Sequence, residues 1–170
     1  FPDLYESAFA AAERDVVLAL LDAHPRLRVE WACLPALDLE RALATHDLPL
    51  FSLSSRTPLH AFDLVHFVIP EAACFLNVAA MLELGCIPAP ASERGESHPL
   101  VTASGPPLLA PEAVAPLLDL VLVGEVEDAL GALVERWPAL REAGLPKSEI
   151  ALELGRTLDG AYAPAGYQVD

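Results

Sequence analysis

PLVTASGPPLLAPEAVAPLLDLVLVGEVED, residues 99–128, carries two short apolar runs, Leu100–Ala103 and Leu120–Val123. Each run ends in a glycine-bearing loop, at Gly105 and Gly124, and each is followed by a helical pattern. A strand that stops at a small-residue turn and hands over to a helix is the repeating unit of an open parallel α/β sheet. In such sheets ligands sit beyond the carboxyl ends of the strands, so any site is expected along that edge.

Upstream, Leu64–Ile69 is apolar without alternation, as expected for an inner strand covered on both faces, and Pro70 stops it. Leu27, Val29, Trp31 and Cys33 alternate with Arg28, Glu30 and Ala32, which predicts a strand with one exposed face near a sheet edge. The first helix is expected to carry Phe9, Val16 and Leu20 on one stripe, with Val17 and Leu21 beside it, and to end at His24-Pro25. Phe1-Pro2-Asp3 reads as the tail of an element, with a first strand expected ahead of it. Pro35 to Asp47 predicts a short helix with Leu39 and Leu43 inward, and LPLFSLSSRTPL an irregular connection or a brief strand. From Glu71 a helix places Cys74, Val78, Met81 and Leu82 inward, with Gly85 expected to end it in the left-handed conformation. The last long helix is expected from about Val126 to Trp137, limited or kinked by Pro138. A short helix capped by Ser148, with Glu149 in its first turn, and an extended tail then follow.

A chain of 170 residues that is 54% hydrophobic can bury a single core. With 25 acidic residues against 10 basic, the charge of −15 opposes binding to nucleic acid and to anionic membranes. The apolar runs are too short to span a bilayer. Cys33, Cys74 and Cys86 are too widely spaced for a zinc knuckle or an iron–sulfur site, and read as buried, reduced thiols of a cytoplasmic protein.

Candidate chemistry is sparse. Glu125, Glu127 and Asp128 either complement the dipole of the helix they begin or contact a ligand or partner. Ser104 sits beside Gly105, but Thr102-Ala103-Ser104-Gly105-Pro106 lacks the first glycine of a nucleophile elbow, and no base can be assigned to it. His66, in mid-strand, reads as a core histidine, and His60 and His98 have no metal-ligand partner at a recognisable spacing. Asp22-Ala23-His24 touches the Asp-x-His-x-x-Gly pattern of cobalt-ligating proteins, but Leu27 stands where the glycine belongs.

Taken in order, FPDLYE, LPLFSLSSRTPLHAFDLVHF, NVAAMLELGCIP, SERGESHPLVTASGP, the Asp119–Asp128 run and GAYAPAGY resemble the amino-terminal cobalamin-binding-like domain of a family of radical SAM proteins. The resemblance spans nearly the whole chain. It implies an α/β fold, a flavodoxin-like (Rossmann-like) open parallel sheet with helices on both faces. It also implies a cobalamin-binding-like domain over residues 1–145, and a short helix and linker over 146–170 leading to a radical SAM barrel of the same polypeptide. That barrel would carry the CxxxCxxC motif, the 4Fe–4S cluster and S-adenosylmethionine. The cofactor-binding positions implied are Ser104, Gly105, Gly124 and Glu125. Ser7-Ala8-Phe9-Ala10-Ala11 departs from a glycine- and asparagine-rich helix start, Ser104-Gly105 stands in place of a glycine pair, and Gly124-Glu125-Val126-Glu127-Asp128 departs from a Gly-Asp-Gly-Glu-Glu-like turn. Paired glycines admit a cofactor's nucleotide tail to the backbone, whereas side chains obstruct it. The domain is therefore expected either to hold cobalamin base-off without a histidine ligand or, favoured here, to serve as a docking platform for the catalytic barrel. The alternative is a non-catalytic interaction or receiver-like module, although Val68-Ile69-Pro70 offers no phosphoacceptor aspartate.

Overall fold

The computed structural model describes residues 1–22, 24–124 and 126–167, with the side chains of residues 12, 13, 126 and 127 left out. In chain order its elements are α1 (Tyr5–Ala10), α2 (Ala12–Asp22), α3 (Leu37–Thr45), β1 (Leu64–Val68), α4 (Phe75–Leu84), β2 (Leu100–Ser104), β3 (Leu120–Leu122), α5 (Val126–Glu142), α6 (Lys147–Thr157) and β4 (Ala161–Tyr162), with short 3-10 turns between several of them. The sheet order is β1-β2-β3-β4. The first three strands are parallel, with Leu64 opposite Leu100 and Thr102 opposite Leu120, and β4 runs antiparallel to β3. This is the α/β sheet that the apolar runs predict, mostly parallel and consistent with the flavodoxin-like fold that the resemblance implies.

Alternation along the strands divides the core in two. Val68, Leu100, Leu120 and Leu122 face Val17 of α2, Leu130 and Leu133 of α5, and Ile150 and Leu154 of α6. Phe67, Ile69, Val101, Ala103 and Val121 face Leu43 of α3 and Val78, Met81 and Leu82 of α4. Every residue of β2 and β3 is buried, which is why their sequence is uniformly apolar or small.

Several expectations are corrected. Leu27–Cys33 joins no ladder: Trp31 O accepts from Leu53 N at 2.7 Å, and Ala32 O accepts from the Phe1 ammonium at 2.8 Å. Its bonds go to the Ser52–Thr57 turn and to the opening residues, so β1 is an edge strand of this sheet rather than an inner one. The first helix is two, broken at Ala11. Phe9 and Val16 are exposed while Val17 is buried, because the break changes the phase of the helical stripe. Leu39 is exposed and only Leu43 of that pair is buried. After β2 there is no α-helix but three 3-10 turns, Pro106–Leu109, Pro111–Ala113 and Ala115–Leu117; Pro106, Pro107, Pro111 and Pro116 remove the amides that an α-helix needs.

At the end of α4 the left-handed residue is Cys86 (φ 57°), not Gly85 (φ −81°). Glycine is used at 85 for closeness, since a Cβ there would lie 2.9 Å from Leu59 Cβ. Helix α5 continues through Pro138 to Glu142. Pro146, not Ser148, precedes α6, with no side-chain cap. The expected short helix is α6, which buries Ile150 and Leu154, and the extended end after it adds Ala161–Tyr162 to the sheet as a strand.

Candidate functional site

The carboxyl edge of the sheet is built from the residues that follow β1, β2 and β3. Gly105 leaves β2 with φ 135°, and a Cβ there would stand 2.0 Å from Ile69 O, so the turn after β2 closes on the end of β1 only because this residue has no side chain. Gly124 leaves β3 with φ 97°, and a Cβ there would meet nothing within 4 Å. Since Ser104 pairs with Leu122, the two glycine turns lie side by side at this edge. Glu125 lies outside the described residues, as does the side chain of Glu127; Asp128 is exposed.

Ser104 ends β2 rather than entering the turn, and its side chain is buried. Its Oγ lies 2.9 Å from His66 Nε2, while His66 Nδ1 lies 2.8 Å from Thr102 Oγ1. The register explains the trio: His66 is opposite Thr102 and Val68 opposite Ser104, so the three polar side chains share one face of adjacent strands. Desolvation, reinforced by the positive amino terminus of Phe1, pushes the pKa of His66 down to about 3. The imidazole is therefore neutral at pH 7, donating through one nitrogen and accepting through the other.

This pairing gives Ser104 a hydrogen-bonded base that the residue order did not reveal. The available signal was weak, because the strand register that brings positions 66 and 104 together is not written in either segment alone. Thr102 supplies a hydroxyl in place of a carboxylate, and Ser104 is 1% exposed, so the serine is not presented to a substrate. The trio works as a satisfied polar link between β1 and β2.

Beside the exposed Glu71, Glu112 and Asp128, large apolar side chains are also exposed in the segments that flank this edge. Asn77 Nδ2 donates to Pro2 O at 2.9 Å and ties the opening residues to the start of α4, beside the end of β1. Around this contact Leu4, Tyr5 and Leu76 are exposed, Leu76 at 82%, and Leu109 is exposed at 76% in the turn after Gly105. The rings of Tyr5 and Phe9 lie 4.5 Å apart, tilted by 42°, with the Arg14 guanidinium over Phe9.

A separate cavity of about 670 Å³ lies alongside β1, away from the glycine turns, between Leu64–Val68 and Leu27–Ala32. No cluster of three or more histidine, cysteine or acidic side chains placed to hold a metal occurs among the described residues, and no described helix is long and apolar enough to cross a membrane.

No curated protein and no solved structure matches the chain. The family model described as "Radical SAM proteins, N-terminal" matches residues 14–164, from the second helix to the end of the sheet. With nearly all of the sheet and its covering helices inside that match, the chain belongs to the family of amino-terminal domains of radical SAM proteins.

Proposed function

We propose that the domain is a docking platform, and that the carboxyl edge of its sheet packs against the radical SAM catalytic domain of the same polypeptide. The observation that carries this reading is the set of exposed apolar side chains at that edge, Leu4, Tyr5, Leu76 and Leu109. Leu76 follows β1 and Leu109 follows β2 in the chain, and exposed apolar side chains of this kind are the ones that a partner domain would cover.

Corrinoid holding fits the edge less well. Gly105 is already committed to the contact with Ile69 O, so its missing side chain leaves no cradle for a nucleotide tail. The Ser104 side chain turns inward to His66 and neither lines nor narrows a cleft at Gly124. The large cavity touches none of Ser104, Gly105 and Gly124.

The experiment uses the polypeptide continued past Asp170 to its expected CxxxCxxC. Leu76→Asp combined with Leu109→Asp is expected to expose the junction between the two domains to limited proteolysis while leaving the melting of the isolated 170-residue chain unchanged. Unaltered proteolysis would remove the docking reading. A stoichiometric absorbance change on titrating the chain with hydroxocobalamin would favour corrinoid holding instead.

A further inference from the structure

At the amino edge of the sheet, away from the glycine turns, the loop ahead of β2 is clasped to the start of α6. Glu96 accepts from Lys147 N with both carboxylate oxygens, at 3.0 and 3.1 Å, and Lys147 is the first residue of that helix. Pro146 offers α6 no side-chain cap, so a carboxylate 51 residues upstream takes over the task and also complements the helix dipole. In return the Lys147 ammonium donates to His98 O, with the lysine only 9% exposed. Both halves of the clasp therefore come from one turn, Gly95–His98.

Two bonds close that turn. His98 N donates to Gly95 O at 3.0 Å, and Gly95 N donates to His98 Nδ1 at 2.9 Å. The second bond needs a lone pair on Nδ1, so the closed turn holds the imidazole neutral, with its proton on Nε2. A proton added at Nδ1 sets one N–H against another, and the bond is lost. Glu96 lies inside the turn and His98 supplies the carbonyl, so opening the turn moves both groups that hold Lys147. The charges around the clasp leave little room for another cation. Burial and then Arg141 of α5 lower the pKa of Lys147, while Glu96, Asp63 ahead of β1 and Asp119 ahead of β3 act against them. Asp63 is already paired with Arg141 and Asp119 with Arg94, at 3.3 and 3.0 Å.

We propose that Gly95–His98 is a pH-operated clasp, closed over the start of α6 while His98 is neutral and opened when a proton enters at its Nδ1. Histidine is the side chain whose charge ordinarily changes between pH 5 and 8, which gives the clasp a trigger in the physiological range. What it releases is the first turn of α6 and the connection from α5. Ile150, Ala151 and Leu154 remain buried and keep the rest of the helix in the core. The trigger is separate from His66, which takes up its proton only at about 3. The proposal does not depend on what docks at the carboxyl edge.

The test follows hydrogen exchange of the Gly95 and Lys147 amides at pH 7.5 and 5.5, corrected for the intrinsic effect of pH on exchange. Both are expected to lose protection together at the lower pH, by about fivefold or more, as the loss of one hydrogen bond allows. His98→Asn offers an amide oxygen in place of Nδ1 and takes up no proton, so it is expected to keep both amides protected at both pH values. A parent whose two amides are indifferent to pH would overturn the proposal, as would a variant that loses protection in parallel with the parent. Loss at Gly95 with Lys147 unchanged would show that the turn does not hold α6. A second measurement stands without any variant: the Gly95 amide resonance is expected to shift with the same midpoint as the His98 Hε1 resonance, and separate midpoints would also overturn it.

Discussion

His66 is held between two hydroxyls in surroundings that disfavour its charged form, and this makes the domain sensitive to acid. In the unfolded chain an imidazole takes up its proton near pH 6.5, but in the fold it does so only at about 3. Between those values the unfolded state binds the extra proton, so stability falls as pH drops through the window, by about 1.4 kcal/mol per pH unit from this residue. Glu30, whose carboxylate accepts from Ser52 and Ser55 and whose pKa falls to about 2, extends the acid loss below its unfolded value of 4.5. His66→Asn keeps a donor and an acceptor between the hydroxyls but cannot titrate. It is expected to cost about 1–2 kcal/mol at pH 7 through its shorter reach. Urea unfolding at pH 7, 5.5 and 4 should then give a visibly flatter loss for the variant than for the parent; parallel losses would mean that the imidazole is solvated in the fold.

Among the elements, Pro138 carries the clearest energetic conflict. Helix α5 passes through it although the ring supplies no amide for Val134 O, which ordinarily costs about 3 kcal/mol within a helix. The helix persists because Leu130, Leu133 and Trp137 are anchored in the core on the turns before the proline. Pro138→Ala should raise unfolding stability by about 2 kcal/mol, after the entropy that proline removes from the unfolded chain is set against the recovered bond. A loss of stability on substitution would show that the ring itself is needed against the cavity beside β1 that it lines. The same contest explains which elements were legible. Leu100–Ser104 and Leu120–Leu122 are buried at every position, so composition alone marked them as strands. Leu27–Cys33 alternates as a strand should, yet its partners are a turn and the chain's opening residues, a tertiary fact that periodicity does not carry. Residues 106–117 show helical spacing, but four prolines convert it to 3-10 turns. Of the site, the glycine turns were visible as residue types. The His66–Ser104 bond needed the register of two strands, and the apolar edge needed the placement of α1 and α4 against it.

For the molecule as a whole, two packed layers enclose most of the thiol chemistry. Cys33 lies in the layer of α2, α5 and α6, and Cys74 in the layer of α3 and α4, while Cys86, expected to be buried with them, is exposed because it forms the left-handed turn after α4. Burial raises the pKa of Cys33 and of Cys74, so the thiolate that would react or ligate is disfavoured at both. The three therefore differ in the event that exposes them: one is open in the native state, and two require the layers to separate. Titration of the native chain with a chromogenic disulfide is expected to modify one thiol rapidly and two only at the rate of global unfolding, with all three reacting at once in denaturant. Two fast thiols would mean that one layer opens independently of the other. Thiols held in separate layers also cannot converge on one cluster, which takes four ligands at close spacing. Anaerobic incubation of this chain with iron and sulfide is accordingly expected to leave no stoichiometric cluster after desalting, whereas a stable cluster would require the two layers to rearrange around Cys33 and Cys74.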